Sequence, residues 1–187
     1  MAFKFSRDQF FASFRTAFGP LNATQVSGLN DLLNQIENDI SITDIRHFAY
    51  MLATAKHETW HTFKPIEEKG KGAGKPYGVL IDGHAYYGRG DVQLTWIYNY
   101  RKFAKLLGVD LVGKPELALD PGIAYSVMSV GMRAGLFTGK KLSDYINDTR
   151  CDYVNARRII NGLDQADAIA DIAVKFETIL KGSLLKI

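Results

Sequence analysis

Apolar residues recur at helical spacing in seven stretches of the chain, and capping or breaking residues bound most of them. From Ser6 a Ser-x-x-Gln box precedes Phe10, Phe11, Phe14, Ala17 and Phe18, with Gly19-Pro20 as the stop, which predicts a first helix. Val26, Leu29, Leu33 and Ile36 predict a second, and Ile45, Phe48, Leu52 and Ala55 a third, capped by Thr43 or Asp44. A fourth follows in "IYNYRKFAKLLG". Asp120 before Pro121 opens another through Ile123, Val127 and Val130 that should end near Gly135. A further helix through Val154 and Ile159 should stop at Asn161-Gly162. The last, from about Asp164, carries Ile169, Ile172, Ala173, Phe176, Ile179 and Leu180.

Two stretches break this rhythm. Lys64 to His84, "KPIEEKGKGAGKPYGVLIDGH", is rich in Gly, Lys and Pro and reads as a mobile loop. Its "GKGAGK" lacks the spacing and the Ser or Thr of a phosphate-binding loop. "YYGRGDVQLTW" then offers Tyr, Val and Thr for a short strand or hairpin. No internal repeat is present. The expectation is a mainly α domain with one small β-hairpin element.

Length and composition narrow this. A chain of 187 residues, 47% hydrophobic, can bury one sizeable core, so residues 1–187 should form a single domain. The longest apolar run, Ile123 to Met132, is too short to span a membrane. The start "MAFKFSRDQFF" has no apolar core of a secretory signal, so synthesis in a cytoplasm is expected. Cys151 is the only cysteine, which excludes an intramolecular disulfide and a Cys-based zinc cluster; it should be a semi-buried helix residue. A net charge of +3 is too mild to signal nucleic-acid binding, yet it favours a polyanionic partner such as a bacterial wall. The final segment from Ala166 balances three Lys against three acidic residues, which suits a core helix better than one that perturbs membranes.

"HETWH", His57 to His61, fits two chemistries. His-Glu-x-x-His on a helix can place two imidazoles on zinc with the glutamate as base. A zinc peptidase needs a third ligand, however; Lys64 and Glu67 stand where the extended pattern requires Gly and His, and Pro65 ends the supporting helix. The other chemistry is glycoside hydrolysis by two carboxyl groups, with Glu58 and Glu68 as candidates. Ten residues of unbroken helix would separate them by about 15 Å, more than the roughly 6.5–9.5 Å of an inverting pair, so a bend at Pro65 is needed. Glu58 falls at the edge of the apolar stripe, where partial burial suits a general acid; Glu68, in a polar loop, suits an ionised base.

"AxxxHET" on a helix, "YYGRGDVQLTWIYNY" about thirty residues later and "IING" near the end together resemble glycoside hydrolase family 19, of the chitinase-like lysozyme superfamily, over roughly residues 45–165. The resemblance implies a lysozyme-like α+β fold, and size and cysteine content resemble the bacteriophage endolysins of that family. It implies Glu58 as general acid and Glu68 as general base, with Glu67 competing for the register. It further implies Thr95 as the hydroxyl that positions water, and Tyr87, Arg89, Gln93, Asn99 and Asn161 as residues that hold sugar rings or brace the cleft. About half of Tyr86, Tyr87, Tyr98 and Tyr100 should simply pack, and Arg89 is as well suited to a structural ion pair. His57 should be a structural hydrogen-bonding residue, and His61 stands where members often carry glycine. No metal or other cofactor is needed. The expected function is hydrolysis of the β-1,4 bond between N-acetylmuramic acid and N-acetylglucosamine in peptidoglycan by a monomer that does not insert stably in membranes, released from the host cytoplasm through a phage holin. The rivals are a chitinase, a non-catalytic wall-binding module and the zinc peptidase.

Overall fold

A computed structural model describes residues 3–186; Met1, Ala2 and Ile187 lie outside the described residues. Among the described residues eight α-helices build one core: α1 Arg7–Phe18, α2 Ala23–Asn38, α3 Ile45–Glu58, α4 Ile97–Leu107, α5 Pro121–Ala134, α6 Leu142–Tyr145, α7 Tyr153–Ala156 and α8 Ala166–Ser183. Two antiparallel ribbons of two residues a strand complete it, β1 Ile66–Glu67 with β2 Arg89–Gly90, and β3 Ile146–Asn147 with β4 Arg150–Cys151. The mainly α architecture with a small hairpin element is the one expected from the sequence.

The caps act as read. Ser6 accepts from the Gln9 amide, Asp44 from the Arg46 amide, and Asp120 from the amides of Gly122 and Ile123, while Gly135 ends α5 in the left-handed conformation. The complete capping box belongs to α2, between Asn22 and Gln25. Helix α8 packs lengthwise on α3 and α1, burying Ile169, Ala173, Phe176, Ile179 and Leu180. Its apolar face is thus occupied by the core, and no described helix is long and apolar enough to cross a membrane.

Several expectations need correction. Helix α3 does not bury one stripe: every residue from Phe48 to Lys56 is buried, because α3 runs through the middle of the molecule. The chain bends at Lys64, beside Pro65, but that is not its first change of direction. It turns immediately after Glu58, where Thr59 caps the helix and the amide of His61 donates to the Lys56 carbonyl at 2.8 Å. That is a Schellman closure, and Trp60 occupies the position where glycine is usual, with φ 49°. His61 (65°) and Phe63 (58°) are left-handed too. Thr59 fastens the turn by donating to the Ala55 carbonyl and accepting from the Phe63 amide, while Phe63 wedges against Phe14 and Phe176. Cys151 is exposed on β4 rather than semi-buried on a helix, and the helix through Val154 and Ile159 is a single α turn followed by a 3₁₀ turn, Arg157–Ile159. Among the described residues the His57 ring has no hydrogen-bond partner, so the structural role expected of it is not supported.

Gly28 seats α2 on this turn. A Cβ there would lie 2.5 Å from the Phe63 carbonyl oxygen and 2.8 Å from that of Thr62, both backbone atoms. Alanine normally stabilises a helix interior over glycine by about 1 kcal/mol. Here the sign reverses: Gly28→Ala should destabilise the fold by about 1–3 kcal/mol, read as a lowered midpoint in thermal or urea denaturation. An unchanged or raised midpoint would contradict this packing.

Candidate active site

Glu58 is the last residue of α3, held at the end of the most buried helix with 17% of its side chain exposed. The Arg157 guanidinium donates to its Oε1 at 2.7 Å and, through Nε, to the Asp164 carbonyl at 3.1 Å. Arg157 is itself 3% exposed, so the ion pair fixes one geometry for the carboxylate. Sequence reading missed Arg157: 99 residues separate it from Glu58, and nothing in "NARRII" marks which arginine turns inward.

Glu68 follows β1. Its backbone amide donates to the Gly88 carbonyl at 2.8 Å, continuing the ribbon, and its carboxylate accepts from the Tyr77 hydroxyl at 2.8 Å and the Gly88 amide at 3.1 Å. Its neighbour Glu67 is differently occupied. Glu67 accepts from the Tyr87 hydroxyl at 2.8 Å and pairs with Lys71 at 3.1 Å; the Tyr87 bond first, then Lys71, hold its carboxyl below the usual range. Successive side chains in extended backbone point to opposite sides, which is why adjacent glutamates have separate partners.

Gln93, φ 53°, connects the next segment to this ribbon: its Nε2 donates to the Ile66 carbonyl at 3.1 Å, and its Oε1 presses on Gly88. A Cβ at Gly88 would stand 2.8 Å from that oxygen. Thr95 donates to the Gln93 carbonyl at 2.8 Å, and Asn99 donates to the Thr95 carbonyl at 2.9 Å. Gln93, Thr95 and Asn99 line one pocket, closed on the far side by Phe137 and Ile160. Ile160 is three residues beyond Arg157, so the wall carrying the Glu58 partner also borders the Thr95 pocket. The flanks of the two glutamates meet as well, because the Lys69 ammonium lies 4.5 Å from the centre of the Trp60 ring.

Other expected residues do different work. Arg89 is 5% exposed, stacks on the Tyr87 ring at 3.6 Å and donates to the Ala85 carbonyl and the Tyr100 hydroxyl. Tyr87 and Arg89 therefore brace the floor beneath Glu67, one of the two roles the resemblance implies; their burial in "YYGRG" carries no periodic signal. Tyr86 and Tyr100 are packed, whereas Tyr98 is exposed and stacks on Trp96, itself edge-on to Tyr77. Asn161 is exposed, and its side chain accepts from the Gly162 amide, shaping the turn beside the pocket. The zinc reading loses its geometry because α3 ends at Glu58, taking His61 off the helical face it would have to share with His57. Among the described residues no three His, Cys, Asp or Glu side chains cluster as a metal site.

Asp91 was not singled out by its sequence, where it resembles an ordinary turn residue. It is 1% exposed, both carboxyl oxygens lack a hydrogen-bond partner among the described residues, and Leu94, Ala118, Ala124 and Val127 line the same small cavity. Burial pushes its carboxyl up to about 7.

Comparison with known proteins bears on the family and the fold. The model of glycoside hydrolase family 19, chitinase class I, matches residues 71–131. A basic endochitinase, CHB4 of Brassica napus, is 36% identical over 100 residues, covering 49% of this chain and 37% of its own length. An Arabidopsis thaliana endochitinase is 37% identical over 100 residues, again 37% of its length, so the chain spans well under half of these curated relatives. Chitinase C from Streptomyces griseus superposes with a TM-score of 0.65 at 23% identity, covering 95% of this chain and 78% of that one. A bacterial family 19 chitinase superposes with a TM-score of 0.56 at 22% identity, covering 91% and 93%. At such identities the likeness is one of fold, and the relatives named here are plant and bacterial chitinases. The central block is thus similar to glycoside hydrolase family 19, and the helical fold is shared with the two solved chitinases.

Proposed function

We propose that the protein hydrolyses β-1,4 bonds in N-acetylglucosamine-containing glycans of the chitin type with inversion, Glu58 acting as acid and Glu68 as base. The observation that carries the proposal is the unlike setting of two carboxylates whose flanks meet where Lys69 covers Trp60. Glu58 ends a buried helix against Arg157, and Glu68 sits at the ribbon edge among a hydroxyl and an amide. In the reaction Glu58 gives its proton to the glycosidic oxygen as the bond to the anomeric carbon breaks. A water on the opposite face attacks that carbon and passes its proton to Glu68, and the Thr95 hydroxyl and Asn99 amide orient it. Glu67 is the weaker base candidate because the Tyr87 hydrogen bond and the Lys71 ammonium hold its carboxyl below the usual range. The names of the curated relatives support chitin-like chains as substrate. Chitohexaose hydrolysed with the α-anomer as first product, followed by NMR, is the expected result; a β-anomer product or none would reject the mechanism.

The muramic acid bond of peptidoglycan, cleaved by a bacteriolytic enzyme, is a second reading. It is favoured by the four lysines between Lys64 and Lys75, on the segment that carries Glu68.

A further inference from the structure

Both tryptophans of this chain stand in left-handed backbone: Trp60 at φ 49° and Trp96 at φ 74°. A bulky residue there costs about 1 kcal/mol or more, and such strain persists where position matters more than comfort. Both side chains are nevertheless exposed, at 53% and 38%, so neither is held there by burial. Trp60 lies two residues beyond Glu58, in the glycine position of the helix closure. Its face is covered by Lys69, one residue beyond Glu68. Lys69 makes no ion pair among the described residues, whereas neighbouring Lys64 and Lys71 are paired with Asp31 and Glu67. An aromatic face and an unneutralised ammonium thus share one spot, each within two residues of a proposed catalytic glutamate.

We propose that Trp60 and Lys69 form a sugar subsite selective for rings that carry an acidic arm. This inference rests on the glycosidase reading and names a substrate feature for it. The indole takes the apolar face of a sugar ring, as aromatic platforms do. The ammonium rests on the indole while the subsite is empty and swings to a carboxylate of the arm when a ring displaces it. On a neutral N-acetylglucosamine chain only the stacking remains. On peptidoglycan, whose alternate sugars carry carboxylate-bearing peptides, the cation finds a partner as well, so Lys69 sets the preference between the two glycans.

The test compares kcat/KM on chitohexaose and on purified sacculi for wild type, Lys69→Gln, Lys69→Arg and Trp60→Gly across a range of salt concentrations. Lys69→Gln should lower the sacculus-to-chitohexaose ratio about two- to fivefold and flatten its salt dependence, with Lys69→Arg restoring both. Trp60→Gly should lower kcat/KM on both substrates by about tenfold while thermal stability holds or rises, since glycine suits that backbone. A ratio and salt slope unmoved in Lys69→Gln, or a wild type that cleaves chitohexaose and leaves sacculi intact, overturns the inference without touching the glycosidase reading. Absence of new reducing ends from either glycan overturns both.

Discussion

Glu58→Gln should lower turnover by about 10²–10⁴-fold on whichever glycan the enzyme cleaves, with little change in KM. The amide keeps the shape of the carboxyl and an oxygen for the Arg157 guanidinium to donate to, but it has no proton to give to the departing sugar. Thermal denaturation of the variant guards against misfolding: a midpoint near wild type with hydrolysis gone isolates the chemistry. Near-normal hydrolysis would remove Glu58 from the mechanism. Glu68→Gln and Glu67→Gln extend the test, because Glu67 is committed to Tyr87 and Lys71. The larger loss should fall on Glu68, and the reverse order would move the base by one residue.

Asp91→Asn should flatten the fall of stability between about pH 4 and pH 7. The folded carboxyl titrates near 7, above its ordinary value of 3.8, so in this interval the native state holds a proton that the unfolded chain has released. Stability is then greatest below the unfolded value and declines as pH rises toward the folded one, beyond which it is level. The accumulated cost at pH 8 is of the order of a few kcal/mol, or roughly 5–10 °C in midpoint for a chain of this size. Asparagine carries no charge to desolvate, so its midpoint should exceed wild type at pH 8 and converge with it near pH 4. Glu37, Asp39 and Asp44 act with the opposite sign, their carboxyls held below the usual range with hydrogen bonds opposing burial; what they contribute is lost on acidification below about pH 4. An unchanged slope from pH 4 to 7 in the variant would mean that Asp91 does not titrate there.

Sequence made the helices legible wherever their signals were local. Ser6, Asp44 and Asp120 cap their own next turn, and Gly135 needs only its own backbone freedom, so each could be read from a few residues. The α3 burial pattern misled because a helix crossing the centre of a domain buries every face, and a stripe of Ile45, Phe48, Leu52 and Ala55 cannot reveal that. The turn after Glu58 was hidden for another reason. Its left-handed residues are Trp, His and Phe, types that ordinarily avoid that region, while the visible breaker, Pro65, lies beyond it. In the site, "GDVQLTWIYNY" offered Gln93, Thr95 and Asn99 by resemblance, and they line one pocket. Arg157 meets Glu58 across 99 residues, and Tyr77 and Lys69 reach their partners through irregular turns, so no spacing announces them.

The two proposed catalytic groups are mounted on parts of unequal persistence. Glu58 terminates a helix sealed on all sides, whose amides should be among the slowest in the protein to exchange with deuterium. Glu68 opens a segment of short turns, where protons should swap early. A bound glycan should therefore slow exchange across residues 66–84 and leave the interior of α3 as it was, one half of the machinery being a fixed post and the other closing upon it.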